Sequence, residues 1–130
     1  MKKGILFMLV FSIIFSLTIG CKKKRSVKIS AIDLAGVENK YQSAMKYARE
    51  KNLKKLKEAS FELKKTWMKF FLKYYQKQDK KFREDLADIN IIVLESELII
   101  HKENDLNKAN RILEKIGNLL GNIRKKYPLN

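Results

Sequence analysis

Two side chains of this 130-residue chain could support thiol or imidazole chemistry, because it contains one cysteine, Cys21, and one histidine, His101. A cysteine or serine nucleophile needs a base beside it and a third group that orients the base. His101 has no cysteine partner, and no serine or aspartate stands near it in a recognisable motif. We therefore predict that the chain has no catalytic residue and is not an enzyme.

Metal and cofactor motifs are missing as well. Carboxylate-bridged metal bundles use Glu-x-x-His motifs, and covalent haem uses Cys-x-x-Cys-His. Neither pattern occurs, nor does a glycine-rich phosphate loop or a zinc-type spacing. A haem held by His101 and either Met45 or Met68 is conceivable, but no motif supports it. The sequence predicts no metal and no dissociable cofactor.

The residues before Cys21 have the pattern of an export signal. Lys2 and Lys3 supply positive charge, and a largely apolar run of about fifteen residues follows, ending in the small residue Gly20. A run of this length is shorter than the roughly 20 residues that cross a bilayer as a helix. We therefore expect residues 1–20 to be a cleaved signal peptide, with a basic stretch directly after the cut.

The segment from Leu17 to Cys21 resembles the lipobox of bacterial lipoproteins, with Gly20 and Cys21 in the expected places. Thr18 stands where the strict pattern has leucine, and Leu17 lies one step earlier, as in the looser lipoboxes of spirochaete-like lipoproteins. The resemblance implies a cut before Cys21, a diacylglycerol on its thiol and a fatty acyl group such as palmitate on its new amino group. Such a protein would be anchored to a membrane of the cell envelope.

The chain after the cut has room for a single domain. It comprises 110 residues, with 27 basic and 14 acidic side chains and a net charge of about +13. Residues 21–29 are predicted to form a lipidated basic tether and residues 30–130 a helical domain. A charge of this size favours anionic partners, such as lipid headgroups or another polyanion. No base-reading motif is present, so we do not predict nucleic acid as a partner.

From Ser30 onward, apolar residues recur at spacings of three and four, which is typical of amphipathic helices. Polar capping residues divide the pattern into four segments. The helices are expected from about Ala31 to Glu50, from Asn52 to Gln76 or Gln78, from Asp79 to near His101, and from Asn104 or Asp105 to Pro128. We predict an all-α, antiparallel up-down-up-down four-helix bundle, with a three-helix bundle, in which the first two helices merge, as the alternative.

Two features of the middle helices bear on packing. Trp67, Phe70 and Tyr74 hold periodic positions and are predicted to be core residues, whereas Phe71 and Tyr75 lie one step round the second helix and could border an interaction face. The third helix has the widest apolar surface and is expected to be the most buried.

An up-down-up-down bundle brings the tether, the turn between the second and third helices and the end of the fourth helix to one end. We hypothesise that this end contacts anionic headgroups. The basic residues expected there are Lys22, Lys23, Lys24, Arg25, Lys28, Lys77, Lys80, Lys81, Arg124, Lys125 and Lys126.

The function that fits best is a membrane-anchored envelope lipoprotein acting as a non-catalytic binding or structural module with a protein partner of unknown identity. One alternative is a surface-exposed adhesin or immune-evasion lipoprotein that binds a host polyanion or serum protein. Another is a bundle that carries a cofactor or metal.

Overall fold

The structure is a computed structural model that describes residues 27–77 and 79–130. It contains four α-helices, α1 (Ala31–Arg49), α2 (Leu53–Tyr74), α3 (Lys80–Leu98) and α4 (Leu106–Lys126). A π-helical turn, Ile99–Glu103, directly follows α3. The predicted all-α class is confirmed, since the described residues form four packed helices and no β-strand beyond one isolated bridge.

Each α-helix begins at a polar residue whose side chain accepts a hydrogen bond from a backbone N–H in the first turn. These amides have no carbonyl partner inside the helix, so a side-chain oxygen that accepts from them stabilises the helix start. The four caps are Ser30, Asn52, Asp79 and Asp105. Asp105, rather than Asn104, caps α4.

The helix ends also match the sequence pattern, with small differences. Helix α2 ends at Tyr74, two residues before the predicted Gln76. Lys51 adopts a left-handed conformation with φ of 56° and interrupts the helical path between α1 and α2. The first two helices are therefore separate, and the three-helix alternative is wrong. Asn104, with φ of 55°, ends the π-helical turn in the same way.

One continuous core runs between the helices. Trp67, Phe70 and Tyr74 are buried in it, as the periodic positions predict. The prediction that the third helix is the most buried is wrong, because Ile91, Leu94 and Leu98 of α3 face solvent. The apolar residues of α3 cover more than one face, and its neighbours α2 and α4 cover only one of them.

The two ends of the described chain are joined. Ile29 and Leu129 form a parallel β-bridge, in which the Ile29 N–H donates to the Pro128 carbonyl at 3.0 Å and the Asn130 N–H donates to the Ile29 carbonyl at 2.8 Å. Val27 and Ile29 are both buried in the core. Packing with the helices therefore starts within the segment that the sequence assigned to the tether.

Candidate interaction surfaces

A buried tyrosine and an aspartate join the end of α2 to the start of α1. The Tyr74 hydroxyl donates to Asp33 Oδ2 at 2.7 Å and accepts from the Ser30 backbone N–H at 2.9 Å. Lys73 Nζ lies 2.7 Å from the same carboxylate oxygen. The start of the described chain is thus held against the end of α2.

A second tyrosine and aspartate join the end of α4 to α3 in the same manner. The Tyr127 hydroxyl donates to Asp85 Oδ2 at 2.6 Å, and Lys81 and Lys126 lie 3.5 Å and 3.6 Å from that carboxylate. The Phe82 ring meets Tyr127 edge to face at a centroid distance of 4.7 Å and approaches Tyr74 at 6.5 Å. One aromatic cluster therefore links both Tyr–Asp pairs.

These pairs perturb the ionisation of their members. The hydrogen bonds from Lys73 and Tyr74 lower the pKa of Asp33. Burial raises the pKa of Tyr127, and its hydrogen bond to Asp85 raises it further. Burial opposes ionisation of Asp85, but the Tyr127 hydrogen bond and the neighbouring lysines outweigh it and lower the pKa of that carboxyl. At neutral pH both clusters therefore hold a carboxylate beside a protonated phenol.

The basic residues that the sequence assigned to one end can now be placed. Cys21, its flanking residues Leu17 and Gly20, and the stretch from Lys22 to Arg25 lie outside the described residues. The remaining seven flank the bridge and the two tyrosine clusters, and we call them the basic end: Lys28, Lys77, Lys80, Lys81, Arg124, Lys125 and Lys126.

The basic end is partly neutralised by acids that the sequence analysis did not assign to it. Arg124 forms a two-point ion pair with Glu38, in which Nε donates to Oε2 at 3.1 Å, and Asp85 attracts Lys81 and Lys126. Lys28, Lys77, Lys80 and Lys125 are exposed and make no ion pair within residues 27–77 and 79–130. These acids could have been found from sequence. Glu38 lies two turns after the start of α1, and Asp85 lies one to two turns after the start of α3.

The residues considered for a haem occupy different environments. His101 is exposed on the π-helical turn, Met45 is buried in α1, and Met68 is half-buried on α2. No group of three or more histidine, cysteine or acidic side chains that could hold a metal ion occurs in the described part of the chain.

A second surface is apolar and lies on the outer side of α2 and α3. Of the seven large apolar side chains that are exposed in the described residues, six lie on this helix pair or directly after α2, and they are 39% to 63% exposed. Helical spacing places the set from each helix on one face. We call this surface the α2–α3 face: Phe61, Leu72, Tyr75, Ile91, Leu94 and Leu98.

Half-buried residues make the α2 part of the α2–α3 face continuous. Met68 and Phe71 pack against the core between Phe61 and Tyr75, and the Phe71 and Tyr75 rings stack at 4.7 Å. The prediction that Phe71 and Tyr75 could border an interaction face is consistent with this position. The extension of the face onto α3 was not predicted.

A shallow groove of about 590 Å³ lies beside the π-helical turn, between the end of α3 and the start of α4. Leu98, Ile99 and Ile112 form its apolar part. Charged side chains surround it: Glu95, Lys102, Glu103, Lys108, Arg111 and Lys115. Lys108 and Glu103 lie 3.4 Å apart and partly neutralise each other. The groove is therefore amphiphilic, and all its charged side chains are exposed.

Comparison with protein-family models, curated proteins and solved structures finds no match to the chain. No helix among the described residues combines the length and apolar character needed to cross a membrane.

Proposed function

We propose that this chain is a lipid-anchored helical module of a bacterial cell envelope, which binds a partner and has no catalytic role. The anchor in this proposal is Cys21, acylated after a cut between Gly20 and Cys21. It rests on the lipobox-like segment that begins at Leu17 and on the presence of one cysteine in the chain. Acyl chains contribute about 0.8 kcal/mol of membrane binding per buried methylene, so the anchor supplies the attachment itself.

The structural observation that supports an orientation for the anchored module is the position of the described chain's start. The Ile29–Leu129 bridge lies beside that start at the basic end, and Cys21 is only six positions before Val27. Six extended residues reach about 20 Å at most. A lipid on Cys21 would therefore keep the basic end, rather than the π-helical turn, close to the bilayer.

We further propose the antiparallel up-down-up-down arrangement for the four helices. Helix α1 packs on α2 and α4, and α3 packs on the same two helices. Contacts between α2 and α3 run in opposite chain order, since Tyr74 meets Phe82 whereas Lys64 meets Glu97. In this arrangement the turn between α2 and α3, the start of the described chain and the end of α4 lie at one end of the bundle. The basic residues lie at the same end.

In this proposal, charge orients the module on the membrane. Each base near an anionic surface contributes about 1 kcal/mol, and this attraction fades within a Debye length of about 10 Å at 0.1 M salt. The four unpaired bases Lys28, Lys77, Lys80 and Lys125 contribute most, because the paired ones already face a carboxylate. The stretch from Lys22 to Arg25 adds four more charges in the tether.

Vesicle binding by a soluble chain that starts at Ser26 tests the orientation. We expect sedimentation with vesicles rich in anionic phospholipid, loss of binding at high salt, and little binding to neutral vesicles. Charge reversal at Lys77, Lys80 and Lys125 should abolish binding. A matched triple reversal at Lys51, Lys102 and Lys115, away from the basic end, should preserve most of it. Equal binding to neutral and anionic vesicles would refute the orientation hypothesis.

Fractionation tests the anchor separately. The chain expressed with its own leader should sediment with membranes and partition into detergent. The Cys21→Ser variant should lose both properties if it is still exported and cut, or stay attached only through an uncut leader. A Cys21→Ser variant that is cut after Gly20 and still partitions into detergent would contradict acylation as the anchor.

A further inference from the structure

Three exposed apolar side chains lie at the basic end, close in sequence to its lysines. Ile32, in the first turn of α1, is 84% exposed and is the most exposed large apolar side chain of the described residues. Leu72, in the last turn of α2, and Tyr75, directly after it, are 63% and 42% exposed. We call these three residues the apolar rim. Lys28 lies four positions before Ile32, and Lys77 lies two positions after Tyr75.

We propose that the apolar rim inserts into the boundary between headgroups and acyl chains of an anionic phospholipid bilayer, with Ile32 deepest. This inference rests on the proposed function, because the tether and the basic end bring the rim to the bilayer. Electrostatic attraction alone would leave the module above the headgroups. Apolar side chains that enter the boundary layer would add a binding contribution that does not depend on charge.

The chain direction of each helix sets how far its rim residues reach. Helix α1 begins at the basic end, and the Cα–Cβ bonds of an α-helix tilt toward its N-terminus, so the side chain of Ile32 leans out of that end. Helix α2 ends there, and its side chains lean back toward its start. The Tyr75 ring stacks on the Phe71 ring at a centroid distance of 4.7 Å, one turn further from the end. Tyr75 should therefore lie at headgroup level, where its hydroxyl stays hydrated.

The charges around the rim favour an anionic surface. Both acids in the first two turns of α1 are already paired, Asp33 with Lys73 and Glu38 with Arg124. Residues 68–77, which contain the rest of the rim, include three lysines and no acid, and the last seven residues include three bases and no acid. The start of α3 with its cap has three acids and three bases, and it carries no rim residue. Basic residues without free carboxylates beside them are attracted to anionic headgroups.

The rim is held in place before it meets a membrane. The Tyr74 hydroxyl bonds to the Ser30 backbone and to Asp33, and the chain beside Ile29 is bridged to the end of α4. Insertion therefore orders few groups, which lowers its cost. The tether that precedes Val27 reaches about 20 Å at most, so a lipid on its first residue would keep the rim near the bilayer.

Depth-dependent quenching of the full chain, reconstituted in vesicles, tests the insertion. The variants Ile32→Cys, Tyr75→Cys and Leu98→Cys would each carry a fluorophore, with a spin label on the lipid headgroups as quencher. Leu98→Cys is the matched control, because Leu98 is apolar and 55% exposed but lies at the other end of α3, about 27 Å from Lys80 at 1.5 Å per residue. The parent chain, with Cys21 alone, gives the background.

In vesicles rich in phosphatidylglycerol, quenching at position 32 should exceed quenching at position 98 several-fold, with position 75 between them. Quenching at position 32 no greater than at position 98 would overturn the insertion. Neutral phosphatidylcholine vesicles test the orientation by charge separately. Quenching at position 32 should fall there, whereas equal quenching in both lipids, still above position 98, would support insertion and refute the orientation by charge. Flotation with both kinds of vesicle reports the anchor independently of the fluorophore.

A reporter at another position tests whether Ile32 itself drives the insertion. Pro128 is exposed, and its carbonyl accepts the hydrogen bond from the Ile29 N–H, so Pro128→Cys places a fluorophore at the same end. With this reporter, Ile32→Gln should lower the quenching in anionic vesicles, and Ile32→Leu should preserve it. Leu98→Gln, the matched polar substitution, should leave it unchanged. Equal quenching in the Ile32→Gln and Leu98→Gln chains would overturn the proposal.

Discussion

Two glycines one turn apart on α4 should respond differently to alanine. Gly121 has open space where a Cβ would lie, with no atom within 4 Å beyond its chain neighbours and the backbone of its own helix turn. At Gly117 a Cβ would lie 2.6 Å from Cζ of Tyr41, a half-buried residue of α1, and closer still to its hydroxyl. Both substitutions gain the same helix propensity, so the difference between them measures the contact between α1 and α4.

The expected magnitudes follow from the two effects. Alanine is favoured over glycine in a helix interior by about 1 kcal/mol, so Gly121→Ala should raise the free energy of unfolding by up to about that amount. At Gly117 the same gain opposes an overpacking cost of about 1–3 kcal/mol. Gly117→Ala should therefore be less stable than Gly121→Ala by about 1–3 kcal/mol.

Urea and thermal denaturation of the chain starting at Ser26 provide the assay. For a domain of this size, 1 kcal/mol corresponds to about 4–8 °C in Tm. In a Tyr41→Leu background the two alanine variants should differ less, because the ring that meets the new Cβ is gone. If Gly117→Ala is as stable as Gly121→Ala in the parent chain, the Tyr41 ring does not pack against Gly117 as described.

Three further changes test other contacts by the same denaturation assay. Asn90→Leu leaves the Trp67 indole N–H, which donates to Asn90 Oδ1 at 3.0 Å, without its acceptor and should cost about 1–3 kcal/mol. Ile29→Ala removes a fully buried side chain and should cost about 2–5 kcal/mol, whereas Ala at its exposed neighbour Lys28 should have little effect. Because the folded pKa values of Asp33 and Asp85 lie below the ordinary 3.8, their stabilisation is present above that pH and is lost as pH falls through the folded values. Urea midpoints should therefore fall more steeply in acid for the parent than for the Asp33→Asn and Asp85→Asn variants, and equal slopes would refute the role of these carboxylates.

Local sequence signals predicted the helices well, for physical reasons. Each start is set by a side chain that bonds to a backbone amide two or three residues away, as at Ser30 and Asp105. Each buried stripe repeats at the helical period. These interactions are short-range along the chain, so residue spacing is enough to locate them. The split between α1 and α2 also follows from a polar stretch that interrupts the apolar spacing around Lys51.

Long-range features were not predicted. The joining of Ile29 to Leu129 depends on two segments at opposite ends of the described chain. The alternation of Val27, Lys28 and Ile29 was a signal for a short extended segment, but nothing local identifies its partner. The two Tyr–Asp pairs likewise join residues more than forty positions apart.

The sequence predicted the basic end better than the α2–α3 face. The gathering of bases at one end follows from the order of the helices, although the acids Glu38 and Asp85 that neutralise some of them were missed. The apolar pattern of α3 shows two stripes, one through Leu86 and Val93 and one through Ile91 and Leu98. Which stripe is covered depends on the neighbouring helices, so the α2–α3 face emerged only from the packed structure.

The chemical state of Cys21 in the native protein tests the central proposal most directly. Mass spectrometry of the protein extracted from its own envelope, after proteolysis, should detect a first peptide that begins at Cys21 and carries a diacylglycerol and an additional acyl group. No peptide should join Gly20 to Cys21. A peptide that contains this junction, or a Cys21 with a free thiol, as the main species would contradict the account of a lipid-anchored module.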